Sequence, residues 1–143
     1  MRPAVLLIVC CLLGTGLAGC TGGSSARAFT YTPELYTPTV IVRPDGTPIP
    51  VFDPPGDNGP YAADRVIVLT RPKDTDAVER ELRRVDFTVL SRRAATRSDA
   101  DDANLDTLEV QVPLGSVNTA VEWIRHVSGV VSADRDNLQL LGE

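Results

Sequence analysis

Between residues 107 and 129 the chain switches its hydrophobic period once, and that switch limits the folds open to it. Leu108, Val110 and Val112 alternate with Thr107, Glu109 and Gln111, the period of a strand with one face buried. After the turn residues Pro113-Leu114-Gly115, the side chains of Val117, Ala120, Val121, Ile124 and Val127 recur on one side of a helix. Ser116 is placed to cap its start and Gly129 to end it. A strand followed so closely by an amphipathic helix has to bury both apolar surfaces against each other in a layered domain.

The same change of period occurs earlier in the chain. Arg65-Val66-Ile67-Val68-Leu69-Thr70 is apolar on both faces, as a strand with neighbours on either side would be. Asp76 stands three residues before Glu79 in capping-box spacing, and Val78, Leu82 and Val85 predict a helix over 75–85. Phe87-Thr88-Val89-Leu90-Ser91 reads as a strand, the polar segment 92–104 as a loop, and Val130-Val131-Ser132-Ala133 as a short last strand before a tail over 134–143. Strand, helix, strand, strand, helix, strand is the split βαβ, or ferredoxin-like, order. It predicts an α+β sandwich: a four-stranded antiparallel sheet, its first and third strands central, with both helices on one face. The opposite face would be open, with either Val66 and Val68 or Ile67 and Leu69 beside Thr107, Glu109 and Gln111, a surface suited to docking.

Upstream of Tyr61 the composition turns to Gly, Ser, Thr and Pro with few large apolar residues, which favours a tether. Eight prolines from Pro33 to Pro60 extend such a chain, and about 40 residues at about 3 Å each would reach roughly 120 Å. Within it, 39–43, 44–47 and 48–52 read as strand, turn and strand. Pro48 and Pro50 argue against a central strand, leaving a loose hairpin packed on something else, or disorder.

Met1-Arg2-Pro3 followed by an apolar run over 4–13 has the outline of a signal peptide, too short to span a bilayer and interrupted by Gly14-Thr15-Gly16. Leu17-Ala18-Gly19-Cys20 resembles the lipobox of bacterial lipoproteins. The resemblance implies cleavage before Cys20, acylation of that cysteine with chains such as palmitate, and attachment to a membrane of the cell envelope on its extracytoplasmic side. The alternative is an ordinary secretory signal with Cys20 a bystander. The expected organisation is signal peptide 1–19, tether 20–60 and one folded domain 61–143. Cys10 and Cys11 would leave with the signal, so no thiol remains for a disulfide, a zinc site or a nucleophile.

The formal net charge is −5, Lys73 is the only lysine, and acidic residues interleave with the arginines. Without a basic stripe, nucleic acid is excluded as an expected partner. His126, the only histidine, falls off the apolar helical stripe, and no serine sits in a nucleophile elbow, so an enzyme is not expected. Trp123 borders the stripe as a core-edge residue. Asp99, Asp101, Asp102 and Asp106 lack the glycine and closing glutamate of a calcium loop; neither a metal nor another cofactor is expected.

Over 65–141 the chain resembles the subtilisin-propeptide and inhibitor family, including fervidolysin-type prodomains. The matching residues are Val66-Ile67-Val68-Leu69, Leu108-Glu109-Val110-Gln111-Val112-Pro113, and the ending Val127-Ser128-Gly129-Val130-Val131-Ser132-Ala133-Asp134-Arg135-Asp136. Arg84-Val85-Asp86 stands where the family places a small turn, often with glycine. The resemblance implies an open sheet face that docks on a subtilisin-like serine protease, here through Ile67, Leu69, Thr107, Glu109 and Gln111. It also implies a carboxyl-terminal segment, with Leu138, Leu140 and Leu141, that adds a strand in the protease cleft. Those leucines could instead pack on the domain's own edge. The other functional expectation is a structural module that docks on an envelope complex or forms a homodimer through the same face.

Overall fold

A computed structural model of the chain describes residues 28–57, 59–95 and 104–138. Its elements are β1 (Thr39–Val42), β2 (Pro48–Phe52), β3 (Tyr61–Thr70), α1 (Thr75–Arg84), β4 (Thr88–Arg93), β5 (Asp106–Gln111), α2 (Val117–Arg125) and β6 (Val130–Asn137). The fold is α+β, built on an antiparallel sheet of six strands in the order β1-β2-β3-β5-β4, with β6 also paired to β3. The sheet therefore has two strands more than expected, both drawn from residues assigned to the tether.

The long strand β3 organises the sheet. Residues 65–70 pair with β5, residues 66–70 pair with β6, and Tyr61 and Ala62 open against β2. Directly paired residues point to the same face. Val66 and Val68, with Val110, Leu108 and Ala133 beside them, form one buried cluster with Val78 and Leu82 of α1 and Val117, Ala120, Val121 and Ile124 of α2. Both helices thus cover a single face of the sheet.

Local sequence explains most of the elements, with some displaced boundaries. Asp76 does not cap α1, which begins one residue earlier at Thr75. The Thr75 hydroxyl is drawn into the interior, where it meets the Thr70 hydroxyl at 2.7 Å and donates to the Asp106 carboxylate at 2.9 Å. Ser116 does precede α2, but its hydroxyl donates to the Pro113 carbonyl at 2.7 Å instead of capping the helix. β6 runs to Asn137, well past the expected end at Ala133. Its polar second half is held by β3 and by ion pairs: Arg125 with Asp134 at 3.1 Å, Arg43 with Asp136 at 3.3 Å, and Arg135 with Asp57.

Residues 28–57, 59 and 60 are packed against the domain instead of trailing from it. Phe29 meets the rings of Phe87 and Trp123 edge-on, with centroids 4.8 and 6.2 Å apart. The Glu34 N–H donates to the Gly115 carbonyl at 2.9 Å, and its carboxylate accepts from the Tyr61 hydroxyl at 2.8 Å and the Asn118 amide at 2.7 Å. Burial, and then the bond to Glu34, push the Tyr61 hydroxyl up to about 12. Tyr61→Phe is expected to cost about 1 kcal/mol, read as a lower denaturant midpoint, and to speed limited proteolysis within residues 30–38.

The 39–52 stretch folds as the hairpin β1–β2. The Asp45 carboxylate accepts from the Thr47 N–H at 2.9 Å, and Gly46 takes φ +86° at the end of the turn. Because the Arg43 N–H donates to Thr47, alternation along the ladder puts Pro48 and Pro50 in non-hydrogen-bonded pairs with Val42 and Val40. On its other side β2 pairs with β3 only through Val51 and Phe52, beyond both prolines. That is how a strand with two prolines comes to have neighbours on both edges.

Candidate functional site

The sheet face away from the helices carries the side chains between those of the core. Across it run two rows set by register: Ser91, Glu109, Ile67 and Asp134, then Arg93, Thr107, Leu69 and Ser132. Of the two apolar pairs that β3 offered, Val66 and Val68 belong to the core, and Ile67 and Leu69 face away from it, half-buried. Thr107 and Glu109 lie beside them, also half-buried, while Gln111 is exposed and donates to the Asp64 carboxylate at 3.4 Å.

The face is not bare, as the four-stranded expectation required. Arg43, at the end of β1, reaches over it to Asp136 at 3.3 Å and Glu109 at 3.6 Å. Beneath, the Arg65 guanidinium, 9% exposed, meets Glu109 at 2.5 Å and Asp64 at 3.5 Å. Two cations are thus interleaved with three carboxylates. Burial pushes the Glu109 carboxyl up, but Arg65, Ser91 and Arg43 outweigh it and hold it below its ordinary value. Asp136 is raised, because burial and the neighbouring Glu109 outweigh Arg43. The arrangement fixes the hairpin on one end of the face by charge and leaves Ile67, Leu69 and Thr107 partly in solvent.

A second polar cluster lies on the helix side, at the far end of β3. Asp106, whose side chain is 4% exposed, accepts from Thr75, from Arg92 at 3.0 Å and from the Ala95 N–H at 3.0 Å. Arg92 also bonds Asp76 at 2.8 Å. These contacts join β5, β4 and α1 in a structural knot. Asp99, Asp101 and Asp102 lie outside the described residues.

A groove of about 450 Å³ lies beside this face of the sheet, lined by Pro50, Asp64, Asp86, Thr88, Gln111 and Pro113 among others. His126 ends α2 and is exposed, away from this groove's lining. Trp123 packs edge-on against Phe87 at 5.8 Å, at the margin of the core. Among the described residues no cluster of His, Cys, Asp and Glu is arranged to hold a metal, and no helix is long and apolar enough to cross a membrane.

Of the carboxyl-terminal leucines, Leu138 packs with Ile49, Val51, Ala62 and Ile41 in a small second cluster, and its N–H donates to the Pro60 carbonyl at 3.0 Å. Leu140, Leu141 and Cys20 lie outside the described residues. The sequence does not single out Arg43 or Arg65, whereas Asp134 and Asp136, alternating at a strand end, read as carboxylates for caps or salt bridges, and both form ion pairs. The signal for the two arginines is slight: one stands before a turn and the other opens an apolar strand. Comparison of the chain with protein-family models, with curated proteins and with solved structures finds no match.

Proposed function

We propose that the chain is a non-enzymatic lipoprotein of the bacterial envelope, anchored through Cys20, whose βαββαβ core binds and restrains a subtilisin-like serine protease. The supporting observation is the order β6-β3-β5-β4 beneath two helices on one face, which is the ferredoxin-like order, with the hairpin β1–β2 added at its margin. On the opposite face Ile67, Leu69 and Thr107 remain partly accessible for docking. Since Leu138 is engaged with Ile49 and Val51, the segment entering a protease cleft would begin after it, with Leu140 and Leu141.

The purified mature chain is expected to slow peptide hydrolysis by an envelope subtilisin-like protease. Leu69→Asp, which places a charge on the docking face, is expected to weaken this effect at least about tenfold, and removal of residues 139–143 to weaken it further. Undiminished hydrolysis by every such protease tested would end the proposal.

One observation favours a second reading, a structural module that docks or dimerises. Among the described residues β1 is paired on one side only, and Val40 and Val42 along it are 61% and 67% exposed. Sedimentation of the mature chain in detergent separates the two, since dimerisation would raise the mass without a protease and Val40→Lys would abolish it.

A further inference from the structure

The packing of residues 28–57, 59 and 60 on the domain changes what a lipid on Cys20 would do. From Cys20 to the first packed residues near Ala28 there are only about eight residue steps, which span at most about 28 Å even fully extended. A tether of roughly 120 Å is replaced by one no longer than about the width of a small domain. The folded part is then obliged to lie next to the bilayer, and the surface nearest the chain's entry point decides how it sits.

That surface is apolar. Leu35 is 99% exposed, Tyr36 and Leu114 are each 51% exposed, and Tyr31 is 38% exposed. The bond from the Glu34 N–H to the Gly115 carbonyl brings the backbone that carries Leu35 next to the backbone that carries Leu114. Residues 28–42 contain a single charged residue, Glu34, and its carboxylate is engaged by Tyr61 and Asn118. Thr30, Thr32, Thr37 and Thr39 add hydroxyls between the apolar residues. Tyrosines and leucines interspersed with uncharged hydrogen-bonding groups suit the boundary between headgroups and acyl chains, where aromatic rings settle with their polar ends in water.

We infer that the Tyr31-Leu35-Tyr36-Leu114 patch rests in the interfacial layer of the membrane that holds the Cys20 lipid, seating the domain in one orientation. The inference rests on the lipoprotein reading. Transfer of Leu35 alone from water favours the seated state by roughly tenfold or more. Because no cation takes part, seating requires no anionic lipid.

The test uses the mature, lipidated chain in phosphatidylcholine vesicles, with a nitroxide at Thr37→Cys or, as a reference on α1, at Arg83→Cys. The ratio of accessibility to oxygen over accessibility to a water-soluble nickel chelate is expected to be several-fold higher at position 37 than at position 83. It is expected to fall to the reference value when Leu35→Asp is added, and to be unchanged when anionic lipid is included. Equal ratios at the two positions in a chain whose mass confirms the lipid would overturn the seating and leave the lipoprotein reading intact. A mature chain without lipid on Cys20 that stays off the vesicles would overturn both. Shielding of position 37 that grows with protein density at fixed lipid would assign the patch to a second copy of the chain and likewise overturn the seating.

Discussion

Replacing Gly129 with alanine is expected to cost about 3 kcal/mol of stability, combining a left-handed backbone with an overpacked contact. Gly129 takes φ +95°, and a Cβ there would lie 2.8 Å from the Asp74 Cβ and 3.2 Å from Val78 Cγ2. The obstacle is the Asp74 side chain at its root, next to the backbone at the start of α1, so it cannot swing aside. The turn from α2 into β6 is therefore wedged against the beginning of the other helix. Gly46 provides the comparison, since it has φ +86° with nothing within 4 Å of its Cβ position. Gly46→Ala should cost only the conformational part, about 1 kcal/mol. Equilibrium denaturation of the two variants side by side measures the difference, and equal losses would mean that the contact with Asp74 contributes nothing.

Asp106→Ala is expected to cost about 2–3 kcal/mol, because it leaves the Thr75 hydroxyl, the Ala95 N–H and Arg92 without their common acceptor. The loss should depend on pH. Burial pushes the Asp106 carboxyl up, but the Ala95 N–H, Thr75 and Arg92 outweigh it and hold it below its ordinary 3.8. A carboxyl lowered by folding contributes fully above its unfolded value, and the contribution disappears as pH falls through the lower folded value. The gap between parent and variant should therefore be constant near neutrality and close only below about pH 4. Denaturation midpoints at a series of pH values test this, and a gap that persisted into strong acid would remove the charge from the explanation.

The parts of the fold that were legible in sequence are those where one apolar period runs unbroken. The alternation through Leu108 and Val110 marks β5, and the stripe from Val117 to Ile124 marks α2, because in both the buried set is apolar and the exposed set polar. Sequence places the end of β6 too early because Asp134, Arg135, Asp136 and Asn137 offer no apolar alternation; pairing with β3 and ion pairs with distant arginines hold them in a strand. The arm before Tyr61 was read as a tether because composition registers average burial, and a single Phe29 among the rings of Phe87 and Trp123 hardly changes an average. The candidate face is legible in Ile67, Leu69, Thr107 and Glu109, and not in the arginines laid against it, Arg43 and Arg65. Arg43 and Asp136 are 93 residues apart, and only the hairpin's return onto the sheet brings them together.

The strand at the centre of the sheet meets partners from before and after it in the sequence: Tyr61 pairs with Phe52 and also with Asn137. During synthesis the β3 flank that belongs to β6 stays unmatched until Val130–Asn137 has left the ribosome. The sheet cannot close vectorially, and an incomplete chain ending before Val130 would present an adhesive backbone edge beside valines meant for the interior. Such fragments should clump instead of folding, so emergence of β6 acts as the commitment step for the whole domain.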